Sequence, residues 1–151
     1  MSTNRLLLLP LAAVLLWGHA ACAQAVGSVT ILSGVLVATG PDGVPRVLAV
    51  NSQVREGDTL STQRNTYALV VFKDDAQVLL QPETTLAVTR YAYDLDQPRK
   101  DRVELGLEQG GLRSTAGKLA QRSAQATVIN TPMGKLQGSA SMVVSVGPAR
   151  P

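Results

Sequence analysis

The stretch VREGDTLSTQRNTYALVVFKDDAQVLLQPETTLAVTRYAY, from Val54 to Tyr93, decides the fold. It contains short apolar runs rich in Val, Leu, Thr and Tyr, and polar turn residues separate these runs. Runs of this length that recur about every ten residues are typical of antiparallel strands in sandwiches and barrels. The stretch therefore predicts an all-β domain, with Arg55–Asp58 and Lys73–Ala76 as two of its turns.

Two strands of this stretch can be predicted in detail. Thr66–Phe72 is apolar at nearly every position, which predicts a central strand buried on both faces. The next turn lacks the Gly that a tight hairpin usually favours, so we expect Asp75 to adopt positive φ there. Thr85–Tyr93 alternates, which places Tyr91 and Tyr93 together on one face of their strand.

The flanking segments extend the same pattern. Val26–Thr39 reads as two short strands, or as one strand with a bulge at Gly34, and Pro45 predicts that the following strand lies at a sheet edge. After the central stretch, Gly110-Gly111 predicts a break between two strands. The remaining predicted elements are the turn Gly40–Gly43, the strands Val44–Val50, Arg102–Leu107, Leu112–Thr115, Ala126–Thr131 and Ala140–Val146, and a helical turn or loop over Gly117–Ala124.

The chain has 151 residues, enough for one domain of ordinary size. We predict a single antiparallel-rich β-sandwich or β-roll domain from Val26 to Val146, followed by a disordered tail over 147–151. The predicted core consists mostly of Val, Leu and Ile, because aromatic residues are scarce.

The first residues resemble a secretory signal. Arg5 supplies a positive start, an apolar run follows over Leu6–Trp17, and Ala21-Cys22-Ala23 has the small residues of a cleavage site. The run is about twelve residues, short of the roughly twenty that span a bilayer. We predict a signal peptide over 1–23 with cleavage after Ala23, which would make the protein periplasmic or secreted.

Three alternatives to this processing remain. Cleavage after Ala25 is a close variant. Lipidation of Cys22 would attach the chain to a membrane, but His19 stands where a lipoprotein signal has an aliphatic residue. An uncleaved membrane anchor would have to accommodate Pro10 in a short apolar run.

Removal of the signal would also remove His19, Cys22 and Trp17, which are the single His, Cys and Trp of the chain. The mature chain keeps thirteen Lys and Arg against eleven Asp and Glu, a mixed charge that does not favour nucleic acid. Without His or Cys, the usual catalytic bases and thiol nucleophiles are missing. Composition therefore argues against an enzyme, and the sequence indicates no cofactor.

Several segments occur in an order that resembles the FecR-like domain family. The resemblance covers roughly Val47 to Val146 and rests on turn residues as well as on apolar positions. The matching segments are Val54-x-x-Gly57-Asp58-x-Leu60-x-Thr62, Ala68-x-Val70-x-Phe72-x-Asp74, Leu80-x-Pro82-x-Thr84-x-Leu86, Gly110-Gly111-Leu112-Arg113-Ser114 with Gly117, and Val128-x-Asn130-Thr131-Pro132.

The chain departs from the family pattern twice. Asp74-Asp75 stands where the family usually has Asp-Gly, and Met133–Ala140 lacks the usual Arg-Gly-Thr. The best-known members are sensors that join a cytoplasmic anti-sigma segment, through one membrane helix, to a periplasmic domain that meets an outer-membrane receptor. This chain shows neither segment, so the resemblance implies a stand-alone exported module that binds an envelope protein.

Few residues suggest chemistry, and each has a simpler interpretation. Lys118 with Ser114 or Ser123 is the nearest approach to a nucleophile and base, but the segment has no helical period. The remaining charged candidates all lie in predicted turns or loops, where structural roles are the simpler expectation. They are the pairs Glu56 with Asp58 and Asp74 with Asp75, a calcium-like set of Asp94, Asp96 and Asp101, and the cluster Arg99–Arg102.

Two kinds of binding surface remain as hypotheses. An edge strand, either Val44–Val50 or Ala140–Val146, could recruit an envelope protein by strand addition. Alternatively, Tyr91 and Tyr93 could form a stacking platform for peptidoglycan or another glycan. They could equally pack beneath the loop Asp94–Asp101, and we favour packing as the simpler interpretation. The protein-binding hypothesis is the leading one, and glycan binding is its alternative.

Overall fold

A computed structural model of the protein describes residues 23–138 and 141–147. The described part consists of twelve strands, one short helix and a 3₁₀ turn at Pro98–Lys100. The strands are β1 Ala25–Ser33, β2 Leu36–Thr39, β3 Pro45–Leu48, β4 Gln53–Arg55, β5 Thr59–Thr62, β6 Tyr67–Phe72, β7 Gln77–Leu80, β8 Thr85–Ala92, β9 Arg102–Thr115, β10 Thr127–Thr131, β11 Gly134–Gln137 and β12 Met142–Val146, and the helix is α1 Lys118–Arg122.

The strands form two sheets that share the long strand β9. Sheet I has the order β4–β1–β6–β7–β9–β12 and uses the second half of β9. Sheet II has the order β3–β2–β5–β8–β9–β10–β11 and uses the first half. Each neighbouring pair in the described ranges is antiparallel except β9–β10. The predicted all-β fold class is confirmed.

Two of the places where the chain passes between the sheets are at glycines. Gly34, with φ of 104°, lies between β1 and β2, and Gly110, with φ of 85°, lies within β9. A Cβ at Gly110 would come within 2.5 Å of the Thr84 Cα and 2.7 Å of the Glu83 carbonyl oxygen. A side chain at this position would therefore face both a strained backbone and a steric clash.

The inward faces of both sheets form one apolar core. Its fully buried members come from strands of each sheet, so the two sheets pack as the layers of a sandwich. Representative core residues are Val29, Val70 and Leu80 from sheet I, and Leu36, Leu60 and Leu86 from sheet II.

The structure corrects two of the element predictions and adds the strand β11. β6 is central, between β1 and β7, but only Ala68, Val70 and Phe72 are buried, so the strand is not buried on both faces. The predicted break at Gly110-Gly111 is wrong, because the ladder continues through the glycines as β9 changes sheets. The hairpin that β11 forms with β10 was not predicted, since its four residues are all exposed and carry no apolar alternation.

Other element predictions are confirmed. β1 and β2 are separate strands, β3 lies at the edge of sheet II, and the helical turn forms as α1. Asp75 adopts a φ of 65° in the turn between β6 and β7. Residues 1–22 of the predicted signal, among them Cys22, and residues 148–151 of the predicted tail lie outside the described residues, as does Ala140 at the start of the last predicted strand.

Candidate functional site

A bulge in β8 decides where the two candidate tyrosines lie. β8 advances from Val88 to Arg90 while its partner β9 advances by one residue, so Thr89 is the extra residue. The bulge turns Tyr91 to the buried face that Leu86 and Val88 occupy, where Tyr91 is 7% exposed. The alternation predicted beyond Val88 is therefore wrong, and Tyr91 has no exposed ring for stacking.

The turn Arg55–Asp58 holds this bulge. The amide of Gly57 donates to the carbonyl of Val88 at 2.7 Å, and the amide of Tyr91 donates to Oε2 of Glu56 at 2.8 Å. Asp58 is buried, and its Oδ2 accepts hydrogen bonds from Arg46 and from the amide of Arg55. Both carboxylates of this pair therefore have structural partners inside the fold.

The hydroxyl group of Tyr91 is hydrogen-bonded to Asp74, which is 2% exposed. It donates to Oδ1 of Asp74 at 2.7 Å, while Oδ2 of Asp74 accepts from the amide of Leu119 at 3.2 Å. Burial, followed by the hydrogen bond and charge of Asp74, raises the pKa of Tyr91 above its usual range. The tyrosine ring also stacks on Phe72 with 5.4 Å between centroids. The cavity beside this network measures about 30 Å³, room for water but not for a larger ligand.

The candidate nucleophile and base do not meet on a helix. Ser114 belongs to β9, whereas Lys118 is the first residue of α1. The Nζ atom of Lys118 lies 2.5 Å from Oδ2 of Asp75, and both of these side chains are largely exposed. Ser123 donates to Asp101 at 3.2 Å. Lys118 therefore stabilises the turn that contains Asp75, and Ser123 stabilises the loop that ends at Asp101.

Tyr93 lies just beyond β8 and packs beneath Arg122. The guanidinium carbon of Arg122 is 4.7 Å from the centre of the Tyr93 ring, a cation–π distance. Arg122 is in turn held by Asp101, whose two oxygens each lie 2.7 Å from a guanidinium nitrogen. The hydrogen bond from Arg122 lowers the pKa of Asp101, although burial opposes this shift. Asp101 is therefore occupied as an ion-pair partner and not free as a calcium ligand.

Tyr93 also lines a cleft of about 720 Å³ between the start of β1 and the loop Asp94–Asp101. We call this the Tyr93 cleft. Its polar wall consists of two lysines, two aspartates and one glutamine: Lys73, Lys100, Asp94, Asp96 and Gln24. The sequence did not reveal the cleft, because its polar residues come from three separate segments of the chain.

A second surface lies on the outer face of sheet I. The strand registers place Ile31, Leu69, Leu79, Arg113 and Val143 side by side across β1, β6, β7, β9 and β12. Ile31 and Val143 are 59% and 61% exposed, and Leu69 and Leu79 are half-buried. We call these five residues the outer row. Leu69 belongs to β6, so the outer row explains why the sequence of β6 is apolar on both faces of the strand.

The outer row ends at an edge strand. β12 pairs with β9, and no second neighbour is described for it within 23–138 and 141–147. Its sequence MVVSV carries no charge and no Pro, so nothing in it opposes pairing with another strand. β3 is the corresponding edge of sheet II, but Pro45 removes one of its amide donors.

Within residues 23–138 and 141–147, no group of three or more His, Cys, Asp or Glu side chains is arranged to hold a metal ion. No helix in the same ranges has both the length and the apolar character needed to cross a membrane.

The fold and these surfaces define an all-β sandwich module. No protein-family model and no curated protein matches the chain. Among solved structures, a chain described as a "Cell surface anchoring domain" is similar, with a TM-score of 0.40 and 24% identity over 41% of this chain and 82% of the other. The similarity spans less than half of the chain, and we transfer no role from it.

Proposed function

We propose that this chain is an exported, non-enzymatic module of the FecR-like kind that binds another protein of the cell envelope. The secretory pattern of residues 1–23 and the segments that resemble the FecR-like family support export and family. The observation that carries the binding proposal is the outer row, which leaves large apolar side chains in solvent beside an uncharged edge strand.

The outer row also suggests the chemistry of its partner. Arg113 is its one charged member, and none of the ion pairs in the described ranges involves Arg113. We propose that the partner contributes an extended segment that pairs with β12, places an apolar side chain against Val143 and offers a carboxylate to Arg113, and that its adjoining surface covers the row towards Ile31. The main-chain hydrogen bonds would supply affinity, and the carboxylate would fix the register.

Site-specific crosslinking tests this proposal. A photoreactive residue at Ser145, an exposed position of β12, would be introduced into the chain that begins at Gln24 and exposed to an envelope extract. We expect one dominant crosslinked protein, and at least a tenfold loss of yield when Val143→Lys is added. The matched control is Val47→Lys on the edge strand of sheet II, where the side chain is 76% exposed and yield should not change.

A charge exchange makes the test specific. Mass spectrometry would locate the crosslinked peptide and its nearest Asp or Glu. Arg113→Glu should weaken capture, and replacing the partner's carboxylate with Lys should restore it. Equal capture by the Val47→Lys and Val143→Lys variants, or no rescue by the exchange, would contradict binding at the outer row.

A further inference from the structure

We propose that the Tyr93 cleft binds a saccharide that carries a carboxylate. The cleft lies at the end of β8 and uses none of the residues of the outer row. It would therefore give the module a ligand site that is independent of protein binding.

The size of the Tyr93 cleft fits a small oligosaccharide. Its volume of about 720 Å³ falls within the roughly 300–1,000 Å³ that is usual for small-molecule sites. The cavity beside Asp74, at about 30 Å³, is far below this range. Of these two spaces, only the Tyr93 cleft can admit a sugar ring.

The aromatic wall of the cleft is held in place before any ligand binds. Arg122 covers the Tyr93 ring and donates hydrogen bonds to the carbonyl groups of Asp94 and Leu95. Its guanidinium group is held in turn by the carboxylate of Asp101. The Asp101 side chain is fully buried and that of Arg122 is 25% exposed. A ring and a loop that are already ordered lose little conformational entropy on binding, which favours affinity.

The charged groups of the cleft match an acidic sugar. None of the ion pairs in the described ranges uses Lys73, Lys100, Asp94 or Asp96. Lysine ammonium groups can bind a carboxylate, and aspartate oxygens can accept hydrogen bonds from sugar hydroxyl groups. A neutral sugar would leave both lysines without a partner, so we expect preference for the acidic ligand.

Cleavage of the predicted signal peptide would add a positive charge to the Tyr93 cleft. Gln24 lines the cleft, and its carbonyl accepts a hydrogen bond from the amide of Glu56 at 3.1 Å. Cleavage after Ala23 would leave the new α-ammonium group at the rim of the cleft, as a third cation. The tests below therefore use the chain that begins at Gln24, which retains every core residue from Val26 onward.

Titrations monitored by backbone amide NMR would test the proposal with three disaccharides. N-acetylglucosaminyl-N-acetylmuramic acid and digalacturonic acid carry carboxylates from different sources, and diacetylchitobiose is the neutral match of the first. We expect shifts at Lys73, Tyr93 and Lys100 with at least one acidic ligand, and at least tenfold weaker binding of diacetylchitobiose. The affinity should fall as salt is raised. The acidic ligand that binds better identifies the source of the carboxylate.

Variants give the second readout. Lys73→Gln with Lys100→Gln should weaken acidic binding at least tenfold without altering the fold, because both side chains are exposed. Tyr93→Ala should also weaken binding, Tyr93→Phe should retain it, and Tyr67→Ala on sheet I is the matched control. Equal affinity for neutral and acidic disaccharides, no shift with any of the three, or full affinity in the double lysine variant would overturn the proposal.

Discussion

The hydroxyl group of Tyr91 donates a hydrogen bond of 2.7 Å to Oδ1 of Asp74 and thereby connects the two sheets. Tyr91 belongs to β8 of sheet II, and Asp74 lies in the turn between β6 and β7 of sheet I. The amide of Asp74 donates back to the same hydroxyl oxygen at 3.1 Å. Both groups are buried, so these hydrogen bonds take the place of the hydrogen bonds that the unfolded chain makes to solvent.

Removal of this hydroxyl group should destabilise the protein. Tyr91→Phe preserves the ring and its stacking on Phe72 but leaves Oδ1 of Asp74 without its strongest partner. We expect a loss of about 1–3 kcal/mol in the free energy of unfolding, measured in urea. Tyr67→Phe, at an exposed position, is the control and should change stability by less than about 0.5 kcal/mol. Equal effects in the two variants would refute this role.

The same hydrogen bond should make stability depend on alkaline pH. Burial and the Asp74 carboxylate raise the pKa of Tyr91 above its usual value of 10.0. As the pH rises, the unfolded chain therefore loses the Tyr91 hydroxyl proton before the folded chain does. The contribution of this hydroxyl group to the free energy of unfolding is full below about pH 10 and is lost as the pH rises further. The stability gap between wild type and Tyr91→Phe should narrow between about pH 9.5 and 11.5. A constant gap would contradict the raised pKa.

The pair Asp101–Arg122 should stabilise the protein in neutral but not in acidic solution. The hydrogen bond from Arg122 lowers the pKa of Asp101 below 3.8, so its contribution is present above that pH and disappears as the folded state becomes protonated. We expect Asp101→Asn to cost about 2 kcal/mol at pH 7 and less below pH 4. The control is Glu83→Gln, which removes an exposed ion pair with Arg64. It should lower the free energy of unfolding by less than about 1 kcal/mol.

Two glycines of β9 should respond oppositely to the same substitution. Gly110→Ala requires positive φ and places a Cβ against the backbone at Glu83 and Thr84, so we expect a loss above about 1 kcal/mol. At Gly106 the new Cβ would meet Ala87 at 3.6 Å, an ordinary contact, and Gly106→Ala should be neutral or stabilise by about 0.5 kcal/mol. Thermal unfolding of both variants checks this, and a similar loss in each would contradict it.

Thr84 should be sensitive to loss of its hydroxyl group. Its Oγ1 accepts from the amide of Gly111 and donates to the carbonyl of Gly111, each at 3.0 Å, in a fully buried position. Thr84→Val keeps the shape but removes the acceptor of the Gly111 amide, whereas the carbonyl of Gly111 still accepts from the amide of Gln81 at 3.0 Å. We expect a loss of about 1–2 kcal/mol in the free energy of unfolding. Thr84→Ser keeps the hydroxyl group and should retain more stability than Thr84→Val. The reverse order in urea unfolding would show that packing, and not hydrogen bonding, dominates here.

The sequence predicted elements wherever local chemistry decided them. The turn at Lys73–Ala76, the positive φ of Asp75 and the edge position of β3 follow from residues that are adjacent in the chain. The faces of β8 could not be predicted beyond Val88, because the bulge at Thr89 is held by Glu56, about thirty residues earlier. Tyr91 was consequently predicted to lie on the same face of the strand as Tyr93.

For the candidate sites too, the sequence predicted the features that depend on neighbouring residues and missed those that depend on distant ones. Sequence alone singled out Tyr93 as a candidate, the edge strands β3 and β12, and the apolar character of β6. It missed the partners of Tyr93, because Lys73, Lys100 and Arg122 come from separate turns and a helix that only the folded chain brings together. It also missed the outer row, whose five members lie on five strands and become neighbours through strand register.

The sequence by itself determined the fold class, because the spacing of short apolar runs and turn residues is a local property that each strand carries independently. The tertiary structure decided which side chains stay in solvent and which groups meet. Register, the bulge in β8 and the passage of β9 between sheets at Gly110 depend on contacts between residues far apart in the chain. Hydrogen bonding and packing across those distances, and not local preference, set the surfaces that this protein presents.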